Sequence, residues 1–86
     1  MFKNLFSMKA GVEEMAAAVA TNFAVEASYG EATVVVRNKA TGDAAFTLIE
    51  EAAVEFIEAS ENLADSTGLD LNTAMLAEAK AYVNCL

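Results

Sequence analysis

The chain contains no histidine, no proline and no tryptophan, a single cysteine and only five basic residues. Each shortage removes a class of function. Without histidine there is no Ser–His or Cys–His pair to activate a nucleophile, and no imidazole to hold a metal. Cys85 stands alone beside the last residue, so no internal disulfide can form and the sequence assigns no redox compartment. The bases are Lys3, Lys9, Arg37, Lys39 and Lys80. They are too few to build the cationic patch that direct nucleic-acid binding needs. The same shortage argues against adsorption to an anionic membrane. The apolar run from Met15 to Val25 is interrupted by Thr21 and Asn22 and is too short to span a bilayer. The opening MFKNLFSMK leads into Glu13 and Glu14 rather than into the core of a secretory signal, and the expected location is cytoplasmic.

What the chain does contain is an unusual pairing of apolar and acidic residues. It is 56% hydrophobic, above the usual ~45–50%, yet thirteen acids against five bases give a formal net charge of -8. Much of the apolar excess is alanine, which with the absence of proline describes a small, helix-heavy protein with an anionic surface. Its 86 residues make one domain, 1–86, with residues 1–7 as an N-terminal arm. A chain of this size buries roughly 60–65% of the surface that its unfolded form exposes, so the core is thin. Some apolar surface is then left for a partner or a second copy.

The expected fold class is α+β, mostly α, in the order helix, β-hairpin, helix, helix. Val12, Met15, Val19 and Phe23 recur at spacings of three and four, which predicts a first helix from Ser7 or Met8 to Ser28. Ser7 is its candidate cap and Gly30 its left-handed terminator. Phe2, Leu5 and Phe6 either extend this helix or fold back as a flap. EATVVVRNKATGDAAFTL then reads as a two-stranded hairpin, because three consecutive valines favour strand and Gly42 can take positive φ in the connection. Two registers compete there. Turn chemistry favours Asn38 to Thr41 as the turn. The side-chain pattern favours Lys39 opposite Asp43, which places Val36 opposite Phe46 and Val34 opposite Leu48 on one face. Thr47 and Glu50 match a capping box for a second helix ending at Gly68. Its apolar stripe is Leu48, Ile49, Ala52, Ala53, Phe56, Ile57 and Leu63. Asp70 or Asn72 caps a third helix reaching Tyr82 or beyond, with Met75, Leu76, Ala79, Tyr82 and Val83 along its stripe. A two-stranded hairpin is not stable alone and must lie on these helices.

Neither a catalytic site nor a metal site is expected, and no cofactor. The glycine of TGD lacks the flanking glycines and lysine of a phosphate loop. Asp65, Asp70 and Asn72 flank Gly68, but their spacing is not that of a calcium-binding EF-hand loop, and they read as turn and capping residues. The strongest candidate is an acidic strip on the second helix, Glu50, Glu51, Glu55, Glu58, Glu61 and Asp65. Glu51, Glu55 and Glu58 lie three and four apart and share a face, where they repel by about a few tenths of a kcal/mol per pair. A basic partner would relieve that repulsion. A second candidate set, for self-association into a homodimer or higher oligomer, is Ala16, Ala20 and Ala24, spaced for close helix approach, with Phe2 and Phe6. The alternative for the alanines is packing within the chain.

Evenly spaced carboxylates on a rigid helix can imitate the phosphate spacing of nucleic acid. In this general character the chain resembles the host-takeover and anti-defence inhibitors made by phages, DNA mimics and anti-CRISPR proteins among them. The resemblance implies a non-enzymatic module that binds a protein with a basic, nucleic-acid-handling surface and inhibits or regulates it. It carries no residue-by-residue assignment. The alternative is a structural or assembly subunit that uses its apolar helix surface.

Overall fold

Three consecutive valines decide the architecture. In the computed structural model, which describes residues 2–84 and side chains from Met8 onward, they lie in β2 (Thr33–Asn38), the central strand of a three-stranded antiparallel sheet. β1 (Phe23–Ser28) and β3 (Ala44–Ile49) flank it in the order β1-β2-β3. α1 (Phe2–Ala20) precedes the sheet, and α2 (Glu50–Thr67) and α3 (Leu71–Val83) follow it. The class is α+β and the order is helix, sheet, helix, helix.

The sheet has three strands rather than the two read from the sequence. α1 stops at Ala20 instead of continuing to Ser28. Thr21 and Asn22 donate their amides to the Ala17 and Val19 carbonyls, which closes the last helical turn. From Phe23 onward the chain pairs with β2, matching Val25 with Val36 and Ala27 with Val34. This supplies the extra strand that a hairpin needs for stability. Ala24 is therefore a strand residue and does not continue a helical row with Ala16 and Ala20. Gly30 falls in the turn between β1 and β2, where the residue with positive φ is Ala32 (φ 49). At its other end α1 begins at Phe2, so residues 2–7 are helical in backbone and Ser7 lies inside the helix. Cys85 and the side chains of Phe2, Leu5 and Phe6 lie outside the described residues.

The register of β2 on β3 follows the side-chain pattern as far as Val36 and beyond it matches neither expectation. Val34 faces Leu48 and Val36 faces Phe46, as the side-chain pattern requires. A one-residue irregularity between Val36 and Arg37 then shifts the pairing, so that Arg37 opposes Ala44. The loop is closed by the Asn38 amide on the Asp43 carbonyl and the Gly42 amide on the Asn38 carbonyl, both 2.8 Å. Gly42 takes φ 78, which glycine adopts without steric cost. Lys39 does not pair with Asp43. Its amide donates to the Asn22 carbonyl and its Nζ to the Ala20 carbonyl, which ties the loop to the end of α1.

Thr47 and Glu50 do not form a capping box. β3 continues to Ile49, and Thr47 sits in it opposite Val35. Ile49 occupies the N-cap position without a side-chain cap. No loop residue separates β3 from α2, so the turn is made by Glu50 at φ 53, with its amide held by the Ala32 carbonyl at 2.8 Å. Leu48 and Ile49 are strand residues pointing to opposite faces, and Ile49 is 60% exposed. α2 ends as expected at Gly68 (φ 76), whose amide returns to the Ala64 carbonyl. Asp70 caps α3, accepting from the Thr73 hydroxyl at 2.7 Å and the Thr73 amide at 3.0 Å. These bonds hold its carboxyl below the usual carboxylate range.

The core lies between one face of the sheet and the helices. Val34 and Val36 are fully buried. Ala53, Phe56 and Ile57 of α2 join them in one cluster with Val12, Ala16 and Val19 of α1 and Met75, Leu76, Ala77 and Ala79 of α3. Met15 and Ala52, both expected in the core, are exposed. Tyr82 is also exposed in part, though its ring stacks on Phe46 at 5.4 Å and meets Phe56 edge-on at 5.7 Å. Phe56 thus sits where sheet, α2 and α3 converge. Phe56→Ala is expected to cost about 3–5 kcal/mol, a large part of the stability available to a domain of this size. Thermal or denaturant unfolding measures it, and an unchanged melting temperature would remove Phe56 from the core.

Candidate functional site

Helical periodicity puts the carboxylates of α2 where the core is not. Ala53, Phe56, Ile57 and Ser60 form its buried side, and the Ser60 hydroxyl is satisfied by the Phe56 carbonyl at 2.8 Å. Glu50, Glu51, Glu55, Glu58, Glu61 and Asp65 are all exposed. Glu51, Glu55 and Glu58 share one line along the helix, as their spacing predicts. Glu50 and Glu51 occupy the first turn, where the helix dipole favours negative charge. Asp65 lies near the other end, where the dipole disfavours it.

Arg37 and Lys39 are engaged elsewhere. Among the described residues the one ion pair joins Arg37 Nε to Glu26 Oε1 at 2.7 Å. It lies on the face of the sheet that points away from the helices, because Arg37 opposes Ala24, and Glu26 opposes Val35. Both side chains are well exposed, so this pair adds little stability. Arg37 also donates to the Gly42 carbonyl at 3.2 Å, and Lys39 is held at the end of α1. Among the described residues, no carboxylate of α2 is in a salt bridge.

Two features beside the strip were not read from the sequence. The first is an open groove of about 580 Å³ at the start of α2, lined by Ala32, Glu50, Glu51, Val54, Glu55 and Glu58. The turn between β1 and β2 forms one wall, through Ala32. The second is Tyr29 in that same turn, 54% exposed and beside Glu58 and Glu61. Partial desolvation, then the negative charge of Glu61 and Glu58 and a hydrogen bond to Glu61, pushes its phenol above the ordinary value of 10.0. The alternation of Phe23, Val25 and Ala27 was the available sign that β1 is a strand. Reading it would have placed Tyr29 in a turn, though not against α2.

The remaining candidates are dispersed. Ala16 is buried and Ala20 half-buried, with α1 packed on α3, and Ala24 lies in β1. Asp70 is engaged with Thr73. Among the described residues no group of three or more acids, cysteines or histidines could hold a metal ion, and no helix is long and apolar enough to cross a membrane. Compared with family models, with curated proteins and with solved structures, the chain matches none of them.

The proximity of Tyr29 to the strip can be measured. In a Tyr82→Phe background the remaining phenol is expected to titrate above 10.0. Glu58→Gln and Glu61→Gln should each lower that value, because each removes a charge that disfavours the phenolate. A Tyr29 titration unmoved by both substitutions would place it away from α2.

Proposed function

We propose that this protein is a small, non-enzymatic binding module whose α2 carboxylates engage a basic surface on a protein that handles nucleic acid, inhibiting or regulating it. The observation that supports the reading is the row of exposed carboxylates on α2 with no salt bridge among the described residues. The protein's negative field steers a cationic partner toward this row and concentrates it there. Binding brings cations to within contact distance of Glu51, Glu55 and Glu58, so their mutual repulsion becomes attraction. Because α2 is anchored by Phe56 and Ile57 in the core, the row is rigid and its spacing is preset, which limits the ordering cost of association. The proposed partner is a protein rather than nucleic acid, since phosphate would be repelled.

A second reading, a structural or assembly subunit, draws on different residues. Met8 and Met15 are exposed on α1, and Met15 also lines an open, largely apolar groove with Val12, Leu63 and Ala77. That surface could seat a second copy or a larger assembly.

Affinity capture from the native host, at low and high salt, separates the two. The electrostatic reading predicts a partner retained at low salt and released as salt rises, and lost when Glu51, Glu55 and Glu58 are all changed to Lys. A partner that survives the triple reversal but is lost in Met8→Ser/Met15→Ser would contradict it and support assembly.

A further inference from the structure

The sheet offers a binding surface distinct from the α2 strip. β3 is its last strand, and no other segment of the described chain pairs with the far side. The bond from the Glu50 amide to the Ala32 carbonyl sets the phase of the ladder, since Ala32 and Glu50 fall in the same register as Val34 with Leu48 and Val36 with Phe46. Peptide groups alternate in direction along a strand, so those of Leu48 and Phe46 face β2, while the Thr47 amide and carbonyl and the Ile49 amide face outward; the Ile49 carbonyl, at the N-cap position, belongs to the first turn of α2. Protein edges are ordinarily blunted by lysine, proline or an inward charge. β3, with the sequence AAFTLI, has none of these; its one irregularity, the unpaired Ala45, lies at its start and leaves the stretch from Phe46 to Ile49 regular. Its Ile49 side chain is 60% exposed, beside the outward-facing amide.

Charge determines what fits this edge. Asp43 precedes the strand, and Glu50 and Glu51 follow it at the mouth of the groove they line with Ala32. A second copy is disfavoured. Antiparallel pairing of two β3 strands sets Asp43 of each against the Glu50 end of the other, and parallel pairing sets each acid beside its own equivalent. Like charges opposite each other across strands are destabilising. An extended segment from another protein, apolar in its middle and carrying Lys or Arg at both ends, meets opposite charge at each end instead. We propose that β3 accepts such a segment as a fourth strand, with main-chain hydrogen bonds to the Thr47 amide and carbonyl and to the Ile49 amide, and its terminal cations at Asp43 and at Glu50 and Glu51. The charge of the occupant rests on the reading of the protein as a module for basic partners; the site itself rests on the open edge.

The test uses the full chain and synthetic peptides of alternating valine and threonine. One has lysine at both ends, one has glutamate at both ends, and one is lysine-ended with its backbone amides N-methylated. Affinity is read by fluorescence anisotropy, and the site by amide NMR shifts. The lysine-ended peptide is expected to bind at least about tenfold more tightly than either of the others, to shift the Thr47 and Ile49 amides, and to lose its binding to Thr47→Pro. Proline is tolerated on an edge where its nitrogen faces solvent, so that variant should stay folded. If it does not, the N-methylated peptide decides the matter without it. Equal binding of the N-methylated peptide would overturn strand addition and leave the basic-partner reading standing. Equal binding of the glutamate-ended peptide would overturn the basic occupant while leaving the edge. No binding by any peptide, or a β3-paired dimer of the free protein in light scattering, would overturn the proposal.

Discussion

Packing of one sheet face on α2 is the constraint from which the other features follow. Val34 and Val36 of the central strand are excluded from water in one cluster with Ala53, Phe56 and Ile57 of α2, which α1 and α3 complete. Once those positions point inward, the rotation of α2 is set, and the periodicity of the helix turns its carboxylates to solvent. The acidic row is thus a consequence of the core. It is rigid for the same reason.

The same packing explains the tight connection between β3 and α2. β3 must remain paired through Leu48 to cover its share of the core, and α2 must turn back at once to lie over the sheet. The chain has no loop in which to reverse, so Glu50 adopts a left-handed backbone conformation that a residue with a side chain rarely takes. Its amide on Ala32 compensates by closing the end of the ladder. Ala32, itself at positive φ, thereby becomes a wall of the groove in front of the glutamates. The fold and the candidate site meet at these two residues.

Features governed by one residue or one periodicity were legible in the sequence. Gly42 takes the positive φ expected of it, α2 ends at Gly68, Asp70 is the one of the two candidate caps that caps α3, and Val34 and Val36 find Leu48 and Phe46 because a period of two leaves no other face for them. The solvent-facing row on α2 was legible because its spacing is helical. The departures arise where two local patterns fit the same residues. Phe23 follows Val19 at the spacing of a helix, yet it also opens the alternation Phe23, Val25, Ala27, and pairing with β2 selects the strand. Thr47 and Glu50 match a capping signature, yet Phe46 and Leu48 place Thr47 within a strand. In both cases long-range pairing outweighs a local preference. Tyr29 beside Glu58 and Glu61 was not legible, since nothing local connects the turn between β1 and β2 with the middle of α2.

The central claim is that the α2 carboxylates beyond the first turn, apart from Glu61 with its hydrogen bond to Tyr29, take no part in holding the fold together and remain free to act on a partner. Neutralising three of those beyond the first turn, with Glu55→Gln, Glu58→Gln and Asp65→Asn together, tests it in one thermal melt. The account predicts a melting temperature equal to or above that of the parent at low ionic strength, with any gain shrinking as salt is added, because only mutual repulsion and an unfavourable charge near the end of the helix have been removed. A lower melting temperature would contradict it, since those carboxylates would then be bonded within the structure and not available for recognition.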